Sequence, residues 1–370
     1  MAWPRCLLIV LLLATGGCSS VSYYAQTISG QMGVMSASRP TPDVIADPQT
    51  DAGLRERLAE IGPLRRFAID QLALPESGSF RHYADVHREA MVWSLVAAPV
   101  DDLQPYEWCF PFVGCTAYRG YFDKLDATEH AEQMRAEGWD TAVEPVPAYS
   151  TLGWFDDPLP STVIHWPLPD IAGLMFHEWA HEAVYVMDDS AFNEAYATVV
   201  EKEGVRRWLA SRNDAAALAE YQEHEQRRLA FLDLLAGARE QLGELYASRQ
   251  VNSELLVNKQ AAFDQLRSDY ELLKQRWGGY SGYDRWFSQP LNNARLASVN
   301  TYYRLEPAFR RLLHVASGDM ARFHAASRQL GAEAPERRER CLQSLLAATN
   351  SSGHADLDCS PAVLEIASGR

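Results

Sequence analysis

Apolar positions recur along this chain at two spacings, and the switch between them divides it. From Leu54 to Leu74 the spacing is helical, with Leu54, Leu58, Ile61, Phe67 and Leu72 as the expected buried face. From about residue 80 to 168 the pattern shortens into runs rich in aromatic and β-branched residues, such as Ala90-Met91-Val92-Trp93-Ser94-Leu95-Val96, punctuated by Pro and Gly. That predicts a small sheet, with one helix near Glu129 to Gly138 ended by the glycine. From Asp170 on, helical spacing returns. A helix over Ile171 to Val186 is expected, capped by Asp170 behind Pro169, then a break at Asp188-Asp189-Ser190 and a second helix over Ala191 to Ser211. Asp214 to Asn252 and Glu254 to Trp277, dense in Glu, Gln, Arg and Leu, predict an antiparallel helical hairpin whose charges are solvated faces. A glycine-rich aromatic loop, Trp277 to Tyr283, follows; then helices near Asn292 to Ala316 and Gly318 to Gln329, and a short tail. The fold class is α+β, mostly α. Its parts are a leader (1–18), a stretch that reads partly as a tether (19–50), an N-terminal α/β part (51–168) and a helical part (169–370) containing the hairpin 214–277. Within the tether, Tyr23 to Met35 has the makings of a helix that docks on the body.

The leader changes where this chain is expected to work. Arg5 precedes an apolar run, Leu7 to Ala14, too short to span a bilayer. It ends in Thr15-Gly16-Gly17-Cys18, which resembles a bacterial lipobox, with Cys18 as the lipidated new N-terminus. Ser19 after it, rather than Asp, favours the outer membrane by the same resemblance. A lipid-anchored envelope protein facing the periplasm is expected. Four cysteines remain, Cys109, Cys115, Cys341 and Cys359, an even number suited to an oxidising compartment. Of three connectivities the local pairs Cys109–Cys115 and Cys341–Cys359 are preferred; a zinc knuckle is disfavoured because none has two-residue spacing. The net charge of −15 argues against nucleic acid, which needs clustered Lys and Arg.

Chemistry concentrates in Phe176-His177-Glu178-Trp179-Ala180-His181-Glu182. Histidines four apart on a helix lie about 40° apart around its axis, so both rings can offer a nitrogen to one Zn2+. Glu178, at the edge of the same face, can reach water beside the ion without ligating it. This is the mechanical content of H-E-x-x-H. The apolar residues before it, Ile171 to Met175, predict a buried helix. Catalytic zinc keeps three protein ligands, so a third is expected from the next helix. There Phe192-Asn193-Glu194-Ala195-Tyr196-Ala197 resembles the N-E-x-x-A segment that carries the ligand glutamate in gluzincins. Glu194 is therefore the preferred ligand, and Glu201, seven residues on along the same face, its rival. Glu182 and Glu201 also read as solvent charges or as partners to a ligand histidine.

With these segments, and with Tyr118-Arg119-Gly120-Tyr121-Phe122, Tyr149 to Pro158 and Leu291-Asn292-Asn293-Ala294, nearly the whole mature chain resembles the predicted bacterial aminopeptidases, zincin-like envelope lipoproteins. The resemblance implies a zincin-like fold, zinc as cofactor and a peptide substrate. In the expected reaction Glu178 activates a zinc-bound water, and a tyrosine assists the oxyanion. Tyr302 is the first choice for that tyrosine, with Tyr303, Tyr280 and Tyr283 as competitors. Tyr149 to Pro158 is expected either to pair as a strand with extended substrate or to be an ordinary packed loop. Glu144 or Asp156 would serve to hold a substrate α-amine, though nothing in the sequence selects between them. An envelope endopeptidase and a non-catalytic helical scaffold with a structural zinc site are the rival readings.

Overall fold

In the computed structural model, residues 22–110, 114–247, 253–348 and 357–369 are described. Helix α1 (residues 22–37) leads directly into strand β1 (Ser38–Pro40) and helix α2 (Thr41–Ala46). The part expected to be a tether is thus built into the body from residue 22. Val34 of α1 is buried with Ala84 and Met91, and Tyr23 sits under the Arg119 guanidinium at 3.9 Å. Helix α3 (Ala52–Leu72) starts where Asp51 accepts from the backbone N–H of Gly53 and Leu54. Its buried face is Leu58, Ile61, Leu64, Ala68 and Leu72; Leu54 and Phe67 are only partly covered, so the core face is rotated from the one expected.

The expected single small sheet is three. Strands β1, β2 (His82–Ala84) and β8 (Leu159–Pro160) form one; β6 (Arg119–Tyr121), β3 (Val92–Pro99) and β7 (Trp139–Val146) form another; β4 (Trp108–Phe110) and β5 (Gly114–Thr116) form a hairpin. The β3–β7 ladder runs antiparallel from Val92↔Val146 to Pro99↔Trp139. Helix α4 (Lys124–Ala136) covers one face of it with Ala127, Ala131 and Met134, while Val96, Ala98 and Ala142 on the other face meet Ala294. Alternation along β3 and β7 sorts these residues to the two faces. Residues 149–158 form no strand; Thr151 donates to Asp157 through both its N–H and its hydroxyl, which makes this a packed loop.

The helical part comprises α5 (Leu168–Ala183), α6 (Ser190–Ser211), α7 (Ala215–Tyr246), α8 (Ser253–Arg276), the single turn α9 (Asp284–Phe287), α10 (Asn293–Tyr303), α11 (Glu306–Val315), α12 (Met320–Gly331), α13 (Pro335–Ala347) and α14 (Pro361–Ser368). Helix α5 begins earlier than expected, behind Pro167, and Asp170 sits in its first turn without capping it. The helix expected over 292–316 is two, because Pro307 lacks an N–H and disfavours helical backbone just before it. The tail holds α13 and α14, joined by the disulfide Cys341–Cys359. Cys109 and Cys115 are paired across the β4–β5 hairpin. The main core is aromatic: Phe176, Trp179, Phe192, Tyr196, Phe309 and Phe323 are all fully buried. No helix among the described residues is long and apolar enough to cross a membrane.

Candidate metal centre

Helices α5 and α6 approach closely because small residues lie at their contact. A Cβ on Gly204 would lie 2.6 Å from the Phe176 ring and 2.8 Å from Leu72, so only glycine fits. The turn between the helices is fixed from several sides. The Asn193 amide both donates to the Val186 carbonyl and accepts from its N–H, each at 2.7 Å. Asp189 caps α6 at the Phe192 N–H, 3.0 Å away, and pairs with Arg338 at 2.9 Å. Asp188, at φ +63°, accepts from the Cys115 N–H at 2.6 Å, which pins the disulfide-closed hairpin to this turn. Asn193 therefore sets where its neighbour Glu194 projects.

The expected donors converge. His177, His181 and Glu194 each offer one atom, and these atoms lie within 4.8 Å of one another. His177 Nε2 is 3.2 Å from Glu194 Oε2, and His181 Nε2 is 3.9 Å from the same oxygen. The two imidazoles stand edge to face, with ring centres 5.1 Å apart. Glu201, the rival ligand, meets the opposite nitrogen of His177, Nδ1, at 3.1 Å. It is placed to orient the ring rather than to join the donor group. Lys202 pairs with Glu201 at 2.9 Å and with Glu225 at 2.9 Å; Glu225 pairs with Arg228 at 3.0 Å, and Arg228 with Glu306 at 3.2 Å. A chain of alternating charges thus runs inward from His177 through α6 and α7 to α11.

Electrostatics show what the group lacks. Burial opposes a charge on His177, yet the Glu194 and Glu201 carboxylates outweigh it and hold its pKa well above the ordinary value. Burial, helped by the nearby His177 and opposed by Glu194, pushes His181 down to about 4, so that ring is neutral. At 3.9 Å from Glu194 it makes no hydrogen bond there, and its buried Nδ1 has no partner among the described residues. A cation between Nε2 and Glu194 would take up the Nε2 lone pair and draw that nitrogen to the carboxylate, leaving the ring proton on Nδ1. Burial raises Glu178 to about 7, with His177 working against the rise. Three carboxylates, Glu178, Glu194 and Glu201, gather around His177, which contacts Glu194 and Glu201, while Lys202 pairs with Glu201. Two imidazole nitrogens and one carboxylate oxygen within 4.8 Å of one another suit a divalent ion of the zinc type.

Glu178 also borders a cavity of about 10 Å³ between α1 and the loop 149–158, lined in part by Gln31, Tyr149 and Asp157. This is room for about one water. Other expected residues are placed elsewhere. Tyr283 stacks on Phe231 at 4.1 Å and Tyr280 lies under Arg227 at 4.3 Å, so both pack against the helical hairpin. Tyr302 and Tyr303 lie on α10, and their side chains fall outside the described part of the structure, as does Cys18. Glu182 accepts from the Ser79 hydroxyl at 2.5 Å instead of backing a ligand histidine, and Glu144 is paired with Arg295. Two tyrosines given no site role in the sequence reading feel the charge of Glu194. Burial and then the Glu194 charge raise the pKa of both Tyr118 and Tyr185. Tyr118 lies far from α5 in sequence, where no local pattern could connect it to the metal helices.

Fold and site together define a mostly helical α+β protein with two histidines and a glutamate arranged to accept a metal ion. The chain belongs to the family described as "Putative aminopeptidase", whose model matches residues 22–342. No curated protein and no solved structure matches it.

Proposed function

We propose that this protein is a zinc-dependent peptidase of zincin type, with His177, His181 and Glu194 as ligands and Glu178 as general base. One observation carries the reading: two imidazoles and a carboxylate from adjacent helices converge within 4.8 Å, beside a second buried carboxylate. A structural site has no use for that second carboxylate. A zinc ion, when bound, would supply Lewis acidity toward a peptide carbonyl and toward water. Glu178, with its pKa pushed to about 7 by burial, is suited to take a proton from water and return it to the leaving amine. Glu201 holds the Nδ1 proton of His177 and so keeps Nε2 free as a donor. Tyr118, kept protonated by burial and by the charge of Glu194, is our candidate for the hydrogen-bond donor where negative charge develops.

The family description favours an aminopeptidase. Export is part of the same proposal: the lipobox-like Cys18 would anchor the chain in the bacterial envelope, and the two disulfides agree with an oxidising compartment. The test is zinc content and hydrolysis of free and N-acetylated peptides by the chain lacking residues 1–18. Wild type is expected to bind one zinc and cleave the free peptide. Glu178→Gln should keep the metal and lose about 10²–10⁴ in kcat/KM. A variant that keeps full activity would remove Glu178 from the reaction, and equal cleavage of acetylated peptide would make the enzyme an endopeptidase.

A further inference from the structure

A second concave site lies away from the metal centre, where α7 faces α10 and α11. The inner face of α7 packs on α8 through Phe231, Leu235, Ala238 and Leu242. Beside it on α7, Leu229, Leu232 and Ala236, with Leu235, border a cavity of about 580 Å³, faced by Val299 and Pro307; Leu232 also touches the α7–α8 core. The volume falls in the range of pockets that enclose a small organic molecule.

The cavity's charge is opposite to that of the protein. The chain carries −15, yet Arg239, Arg304, Arg310 and Arg311 line this space, with His314, Asp233 and Glu306; Arg304 also pairs with Glu339 at 3.7 Å. Glu306 is already engaged by Arg228 and Arg310. Arg239 is the most telling of these. It is half-buried, its charge is opposed by burial, and among the described residues no carboxylate pairs with it; it donates to the Leu296 carbonyl at 3.1 Å. A half-buried guanidinium at the end of a leucine stripe is a fork for an oxyanion set beside an apolar wall.

We propose that this cavity binds a small anionic amphiphile, a carboxylate or phosphate monoester bearing an apolar tail. The headgroup sits on Arg239, and the tail lies along Leu229, Leu232 and Ala236. Isothermal titration of the intact chain with decanoate and with decyl phosphate, both below their micelle concentrations, tests this. Decanol and inorganic phosphate serve as the two half-ligands. At least one amphiphile is expected to bind one to one, with decanol at least tenfold weaker and phosphate alone giving no heat. Whichever amphiphile binds more tightly identifies the headgroup. Arg239→Gln should weaken binding tenfold or more, and Leu232→Trp, which narrows the apolar wall, should weaken it as well, with metal content unchanged. The assignment is overturned if neither amphiphile binds, if decanol binds as tightly, or if a folded Arg239→Gln or Leu232→Trp protein binds like wild type.

Discussion

Two pairs of packed helices dominate the C-terminal part, and they treat polar residues in opposite ways. Helix α6 has 22 residues, of which 13 are buried, and Phe192 to Val200 is covered without interruption. Its Asn193, Glu194 and Tyr196 go inside with the rest, and each finds a partner: the Val186 backbone, His177 and His324. Helix α7 has 32 residues and only 6 buried, spaced at roughly one per turn. Its remaining side chains lie at or near solvent, where their charges cost little. The lesson is about obligation. Apart from a few buried positions such as Arg228 and Lys259, which are paired with Glu306 and Asp140, a polar group on the hairpin is free to be almost anything, whereas nearly every one in the middle of α6 must be satisfied by a particular atom. Chemistry resides in the pair where partners are compulsory.

The largest effect expected from that obligation concerns the far side of α6. His324 is buried between the Tyr196 hydroxyl, at 2.6 Å from Nδ1, and the Leu72 carbonyl, at 2.7 Å from Nε2. A carbonyl only accepts, so Nε2 carries the proton and Nδ1 accepts from the tyrosine. Burial pushes the pKa down to about 4, against an ordinary value near 6.5. The folded state therefore binds fewer protons than the unfolded chain between these values. The contribution of neutral His324 is complete above about pH 6.5 and is lost as pH falls toward 4, in total roughly 3 kcal/mol. Unfolding free energies of wild type and His324→Gln, followed from pH 7 to 4, should converge by that order. Parallel curves would mean that His324 is charged in the fold.

On the near side the obligation passes through Lys202. Replacing it by Met leaves Glu201 buried beside His177 without the ammonium 2.9 Å away. Glu201 would then be held less firmly as a carboxylate and would orient His177 less well. Outer partners of ligand histidines typically govern 10–100-fold in metal affinity, and Lys202→Met should lose about that much, with Lys202→Arg recovering most of it. Chelator competition on the folded variants reads this directly. Unchanged affinity would detach the ion-pair chain from the metal centre.

The same contrast explains how much could be read before the fold was known. Relations within one helix or one turn were legible: the i, i+4 histidines, the break at 188–190, the hairpin and both disulfides. Glu194 was read from the resemblance of Phe192 to Ala197 to an N-E-x-x-A segment, in which Asn193 makes local bonds to the Val186 backbone. Relations between distant segments were not. Nothing in the sequence around Tyr118 tells that this ring is buried within electrostatic reach of Glu194, nor that Gln31 and Val34 on α1 would wall the space beside Glu178. Small strands separated by proline gave three sheets in place of one, because pairing partners are chosen by tertiary packing more than by strand propensity. Pro307 was a readable break that helical periodicity on both sides obscured.

The smallest expected effect is on α8, and it probes the comparison from the other end. Gln265 donates to Asp269 at 2.9 Å one turn along the exposed face, and Gln260 does the same to Asp264. Such i, i+4 pairs contribute about 0.2–0.5 kcal/mol to a helix. Alanine has the higher helix propensity, which offsets part of the loss. Gln265→Ala should therefore change the unfolding free energy by no more than about 0.5 kcal/mol, with the urea midpoint nearly unmoved. A loss above about 1 kcal/mol would exceed what a solvated pair can give. It would mean that the outer face of the hairpin is covered in the folded protein, and the division between compulsory and optional partners would have to be redrawn there.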